Sequence, residues 1–266
     1  MTDASAIAAD PRVDVTIDEH VAVMRLCDVA RKNAMTEALG DAVRDAVQGL
    51  RQRQDVRAVV VTGAGDAFSA GGDVAMLERL RQVTFAEARR HMLGFYARYL
   101  SLLDLEVPTI AAVRGPAIGA GLCVATACDL MIVADDATLG FNFVSLGLHP
   151  GMGATYLLPR RVGHQRAAEL LFSGRRFTGN DAVAMGLALK AVAADDVVNH
   201  AMGLARQIAK QSGEAVRGLA RSLELDREAL RAALEREATA QAGSYASDDL
   251  REGLAALRER RAPRFG

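Results

Sequence analysis

The sequence predicts an α/β fold on three observations. A unit of apolar strand, glycine turn and helix occurs at residues 58–74 and again at 109–129. Both strands are continuous apolar runs, Ala-Val-Val-Val-Thr and Thr-Ile-Ala-Ala-Val, as expected for strands covered on both faces. From Asp196 onward no strand pattern returns, and only helical periods remain.

Each element follows from local chemistry. Val13, Val15 and Ile17 alternate with polar residues, and residues 21–26 form a second extended run after Asp18, Glu19 and His20, so the chain opens with a hairpin. Thr36 is an N-cap, and Leu39, Val43, Val47 and Leu50 recur at helical spacing, which predicts an amphipathic helix over 36–54. Thr84 and Glu87 form a capping box for a helix running toward Leu105, which Pro108 stops. Beyond the second glycine turn, residues 130–134 read as a buried strand and 140–153 as a long glycine-rich loop. Residues 167–172 and 181–185 read as helical, and 190–192 as short and extended. Helices are expected at 197–211, 215–225, 228–240 and 249–261, and the division between a core (1–200) and a helical tail (201–266) is placed near residue 200.

Composition narrows the function. Of the 266 residues 50% are hydrophobic and 24% charged, a globular balance, and a net charge of -1 argues against nucleic-acid backbones as partners. Cys27, Cys123 and Cys128 show no CxxC spacing and are odd in number, which fits a reducing cytoplasm. Residues 1–10 lack the basic and apolar regions of a signal peptide, and no 18-residue apolar run suggests a membrane partner. His20, His91, His164 and His200 have no metal-ligand spacing, so no metal is expected. A serine-hydrolase elbow is absent, and the glycines at 63 and 65 lack the third member of a dinucleotide fingerprint.

The glycine turn of residues 114–121 is the informative stretch. It delivers a strand into a helix start, where the first N–H groups have no intrahelical acceptor and the helix dipole favours negative charge. Glycines let another molecule approach that backbone. Together with Ala67-Phe68-Ser69-Ala70-Gly71-Gly72-Asp73, the run Gly115-Pro116-Ala117-Ile118-Gly119-Ala120-Gly121 and Cys128-Asp129 resembles the crotonase superfamily, the enoyl-CoA hydratase and isomerase family. Further likeness lies in residues 31–35, Leu146-Gly147-Leu148, Pro150-Gly151, Leu157-Pro159-Arg160, Val162-Gly163, Gly174, Ala182, Gly186, Glu252-Gly253 and residues 260–263, so it spans nearly the whole chain.

The resemblance implies a crotonase-like spiral of ββα units, a C-terminal helical trimerisation region, and a homotrimer or dimer of trimers. It implies an acyl-CoA thioester as substrate, with coenzyme A arriving as part of it and no resident cofactor. By position, the backbone N–H groups of Gly72 and Ala120 would form the oxyanion hole. Arg31, Lys32, Ala34, Ala70, Gly71, Asp73 and Val74 would meet the nucleotide and pantetheine; Arg31 and Lys32 equally suit a solvated loop, and Asp73 suits a helix cap.

The sequence departs from the family at the acids. Cys123 and Phe143 stand where the two hydratase glutamates belong, and Gly151 stands at the further acid position of isomerases and dehalogenases. Two-glutamate hydration is therefore not expected. His149 is a candidate proton carrier or a residue that caps and packs its loop. Cys123, near a helix start, is a candidate nucleophile or a buried inert thiol. Asn142 and Ser145 flank the same loop and could orient water or substrate. Two hypotheses stand: a crotonase-type lyase, isomerase or hydrolase with non-standard proton carriers, and an acyl-CoA-binding protein without turnover.

Overall fold

The computed structural model describes residues 11–223 and 225–266. The segment 1–10, expected to carry no targeting signal, lies outside the described residues. The chain opens with the expected hairpin, β1 (Arg12–Asp18) antiparallel to β2 (Val21–Cys27). α1 (Glu37–Arg51) follows Thr36, whose side chain accepts from the N–H of Leu39, and it buries Leu39, Val43, Val47 and Leu50. β3 (Ala58–Gly63) enters the first glycine turn, which ends in α2 (Val74–Leu80). α3 (Phe85–Leu100) starts on the Thr84–Glu87 capping box. It stops short of Leu105, because Ser101–Asp104 tighten into a 3-10 turn.

The second unit repeats the first. β4 (Thr109–Val113), wholly buried, leads through β5 (Ala117–Ile118) into α4 (Ala120–Ala127), every residue of which is buried. β6 (Leu130–Ala134) and β7 (Leu139–Gly140) then precede α5 (Ala154–Val162) and α6 (His164–Ser173). Sequence periodicity does not mark α5, since Pro159 lies inside it and removes one helical hydrogen bond. Burial of Tyr156, Leu157 and Leu158 offsets that loss. β8 (Arg176–Phe177), α7 (Gly179–Ala184) and β9 (Lys190–Val192) complete the winding.

The strands form a six-stranded sheet in the order β1-β2-β3-β4-β6-β9, parallel from β2 onward, and a three-stranded sheet in the order β5-β7-β8. Successive turns of the chain give one long strand to the large sheet and one short strand to the small sheet before the helix. An isolated bridge from Ser69 to Ala117 makes the first glycine turn follow the same course. This is the expected spiral of strand, strand and helix.

α8 (Val197–Ala209), α9 (Gly213–Ser222), α10 (Arg227–Tyr245) and α11 (Asp248–Glu259) form the C-terminal helices. The boundary expected near residue 200 falls inside α8. Its Ala201, Ala205 and Ala209 are buried against β3, β4 and β6, so this helix belongs to the core. α10 runs along α3 and shares the same hydrophobic cluster. No helix among the described residues is long and apolar enough to cross a membrane.

Candidate active site

Two loops distant in sequence are stitched edge to edge beside the sheet. The carbonyl of Pro116 accepts the N–H groups of Phe68 and Ser69, and Ile118 N–H donates to the Ser69 carbonyl at 3.1 Å. Ser69, buried, donates its hydroxyl to the Asn33 carbonyl and accepts from Gly71 N–H. Asn33 has left-handed backbone (φ 54) and is fully buried; its amide donates to the carbonyls of Ala64 and Ala67, and its oxygen accepts from Asp28 N–H. The position of the first glycine turn is thereby fixed by backbone and two buried polar side chains.

Gly71 sits at the closest approach of the two loops. Its φ is +92, and a Cβ there would lie 2.6 Å from the Ile118 carbonyl oxygen, so only glycine suits both the conformation and the space. Around it, Met35 N–H donates to the Gly71 carbonyl and Asp73 N–H to the Met35 carbonyl. These flanking bonds leave the N–H of Gly72 facing the other way. Ala120 is the first residue of α4, behind Gly119, which provides no side-chain cap. Neither Gly72 N–H nor Ala120 N–H has a protein acceptor among the described residues. Both residues line one cavity of about 270 Å³.

That cavity is mostly apolar, with Met92, Phe95, Phe143, Leu148 and Met152 in its wall. Two cations, Lys32 and Arg176, also line it; Lys32 is exposed and 3.8 Å from Asp66. Among the described lining residues there is no aspartate or glutamate. A wider groove of about 790 Å³, lined in part by Arg51, Leu103, Asp129 and Arg160, contains neither glycine turn.

The sequence-predicted residues separate into two groups. Gly72, Ala120, Phe143, Lys32, Ala70, Gly71 and Val74 line the cavity, as does Asn142. Arg31, Ala34, Asp73, Cys123, His149 and Gly151 do not. Arg31 pairs instead with Asp28 at 2.7 Å. Asp73 is the N-cap of α2 and accepts from Met76 N–H. Cys123 is buried, and burial, with Glu237 adding to it, pushes its thiol far above the ordinary value, so the nucleophile expectation gives way to an inert thiol. The His149 ring nitrogen Nδ1 lies 2.7 Å from the Pro150 carbonyl, which can only accept. His149 is not among the residues that line the cavity.

Sequence reasoning missed the α10 face. Tyr96 on α3 hydrogen-bonds Gln241 on α10, and both line the cavity with Tyr245. Glu237, one turn before Gln241, is buried; it accepts from the N–H groups of Gly153 and Thr155 and from the Thr155 hydroxyl. Burial raises its pKa while those three bonds lower it. The available signal was a stripe at 230, 233, 237, 241 and 245, in which two polar residues stand among Leu, Ala and Tyr. Among the described residues no group of three or more His, Cys, Asp or Glu is placed to hold a metal ion.

With that geometry in place, comparison with known proteins gives a consistent result. The family model for enoyl-CoA hydratase/isomerase matches residues 16–266. The chain is 39% identical over 258 residues to the probable enoyl-CoA hydratase EchA14 of Mycobacterium tuberculosis, covering 94% of this chain and 98% of that one. It is 35% identical over 248 residues to a putative enoyl-CoA hydratase of Thermus thermophilus, covering 92% and 97%. Among solved structures, Pseudomonas aeruginosa OdaA is similar with a TM-score of 0.82 and 32% identity, covering 92% of this chain and 98% of that one. An enoyl-CoA hydratase/isomerase from Pseudoalteromonas atlantica superposes with a TM-score of 0.83 and 27% identity, covering 96% and 99%.

Proposed function

Because the chain belongs to the enoyl-CoA hydratase/isomerase family, we propose that it binds an acyl-CoA thioester, with the acyl group in the cavity and the carbonyl oxygen between the N–H groups of Gly72 and Ala120. One observation carries this: two amides without acceptors among the described residues, from two separate turns, on the wall of one apolar cavity. When the α-carbon proton passes to a water molecule, the C–H electron pair moves into the C–C bond and the carbonyl π pair moves onto the thioester oxygen. Pre-oriented donors stabilise that developing charge without reorganisation, each by roughly 2.7–4 kcal/mol in the transition state.

The proposed chemistry is crotonase-type lyase, isomerase or hydrolase chemistry other than two-glutamate hydration, since positions 123, 143 and 151 carry Cys, Phe and Gly. Lys32, Ala70, Gly71 and Val74 would meet the coenzyme A portion, which enters with the substrate. A second reading, acyl-CoA binding without turnover, is favoured by the lack of a carboxylate among the described lining residues. The three free cysteines suit a cytoplasmic protein. Leu219 and Leu223, exposed at α9, suit a homotrimer or dimer of trimers, which light scattering tests.

Titration with acyl- and enoyl-CoAs in D₂O, followed by mass spectrometry of the recovered thioester, separates the readings. Micromolar binding with deuterium entering the α-carbon, or with new product, supports the enzyme. Binding without either supports the binder. Failure of every CoA ester to bind overturns both.

A further inference from the structure

Tyr96 and Gln241, 145 residues apart, meet in the cavity wall, and a second bond from Gln241 fixes the direction of the one between them. Gln241 Nε2 lies 2.8 Å from the His149 carbonyl oxygen. A carbonyl only accepts, so the amide nitrogen of Gln241 must face it, and the amide oxygen must face Tyr96 at 2.8 Å. That oxygen also only accepts. The phenol proton of Tyr96 is therefore committed to Gln241, and what Tyr96 has left to offer is a lone pair.

The surroundings make this lone pair selective. Burial drives the phenol pKa upward, with nearby Glu237 adding to the effect, so the group stays neutral. The other tyrosine in this wall, Tyr245, turns its hydroxyl to the sulfur of Met92 at 3.1 Å. Met92, Phe95, Leu148 and Met152 offer nothing polar, and the remaining polar side chains of the lining are Lys32, Asn142 and Arg176. The loop closes tightly on the pair: a Cβ on Gly151 would lie 2.5 Å from the Tyr96 hydroxyl and 2.8 Å from Gln241 Nε2, so the position must be glycine while the pair is in place.

We infer that Tyr96, held by Gln241, is a specificity-determining acceptor that selects acyl groups bearing a hydroxyl. The inference rests on the acyl-CoA reading above and deepens it. A hydroxyl on the acyl chain donates to the phenol oxygen, and a methylene at the same place forgoes that bond. A keto oxygen there sets acceptor against acceptor and is disfavoured.

The test is a binding panel of CoA esters of equal chain length, carrying a methylene, a hydroxyl or a keto group at successive carbons beyond the α-carbon. The wild-type protein is expected to bind at least one hydroxylated ester about three- to tenfold more tightly than its alkyl match, the value of one neutral hydrogen bond. Tyr96→Phe removes that preference, so that the hydroxylated ester and its alkyl match bind with equal affinity. Gln241→Leu frees the phenol proton and moves the preference from the hydroxylated ester toward the keto ester, a reversal that general loosening of the fold does not produce. The inference is overturned if no hydroxylated ester is preferred by the wild type, or if the preference survives Tyr96→Phe; alkyl binding in either case leaves the acyl-CoA reading standing. If no ester binds at all, both fail together.

Discussion

Gly71→Ala is the sharpest probe of the paired turns. The new methyl would start 2.6 Å from the Ile118 carbonyl oxygen and 3.3 Å from its carbon, at a φ of +92. Ile118 cannot retreat cheaply, because its N–H is bonded to Ser69, Gly119 N–H is bonded to Gly140 at 2.8 Å, and β5 is paired with β7. The displacement therefore falls on the peptide between residues 71 and 72, which carries the Gly72 N–H. The positive φ costs about 1–2 kcal/mol, and the forced contact about 1–3 kcal/mol. Their sum, roughly 2–5 kcal/mol, corresponds to a fall in melting temperature of roughly 4–20 °C for a domain of this size. A misplacement of about 1 Å at the amide lowers any turnover by about 10²-fold. Gly72→Ala is the matched control: apart from its chain neighbours, no atom of the described residues lies within 4 Å of its Cβ and its φ is not positive, so stability is expected to stay within about 0.5 kcal/mol. Differential scanning calorimetry and acyl-CoA titration of both variants decide the matter. An unchanged melting temperature and affinity in Gly71→Ala would refute the close coupling of the two turns.

Three further outcomes follow from buried and paired groups. Glu237→Ala strands the N–H groups of Gly153 and Thr155 and the Thr155 hydroxyl, so urea unfolding is expected to show a loss of about 3 kcal/mol or more; a loss below about 1 kcal/mol would show that water replaces the carboxylate. Glu252 is held at a pKa of about 2, against 4.5 ordinarily, by the Arg261 guanidinium and the Arg264 N–H. Its folded-state pKa is depressed, so its stabilising contribution is present above pH 4.5 and is lost as pH falls toward 2; Glu252→Gln should flatten stability across that window, and an unaltered acid limb would contradict the pairing. Cys123, with its thiol raised far above the usual range by burial, should resist iodoacetamide at mildly alkaline pH in the native protein. Rapid labelling of Cys123 on peptide mapping would reinstate it as a reactive group.

Much of this protein was legible locally. Thr36, Asp73 and Thr84 each cap the helix that follows, because a cap is a relation between residues three apart. β3 and β4 were visible because a strand buried on both faces must be apolar throughout. Pro159 hides α5, and a boundary near residue 200 cuts α8 in two because helical periodicity tells which face is buried but not against what.

The glycine turns and the absence of carboxylates at 123, 143 and 151 are plain from the order of residues alone, since the identity of a residue at a position needs no coordinates. It takes the folded chain to leave the Gly72 and Ala120 amides without acceptors among the described residues on one cavity wall, and to bring Tyr96 and Gln241 to that same wall. The first depends on Asn33 and Ser69 tying loops together through hydrogen bonds, and the second on α10 lying along α3. Contacts across such separations arise from packing of the whole chain, and the local pattern around either partner carries no trace of the other.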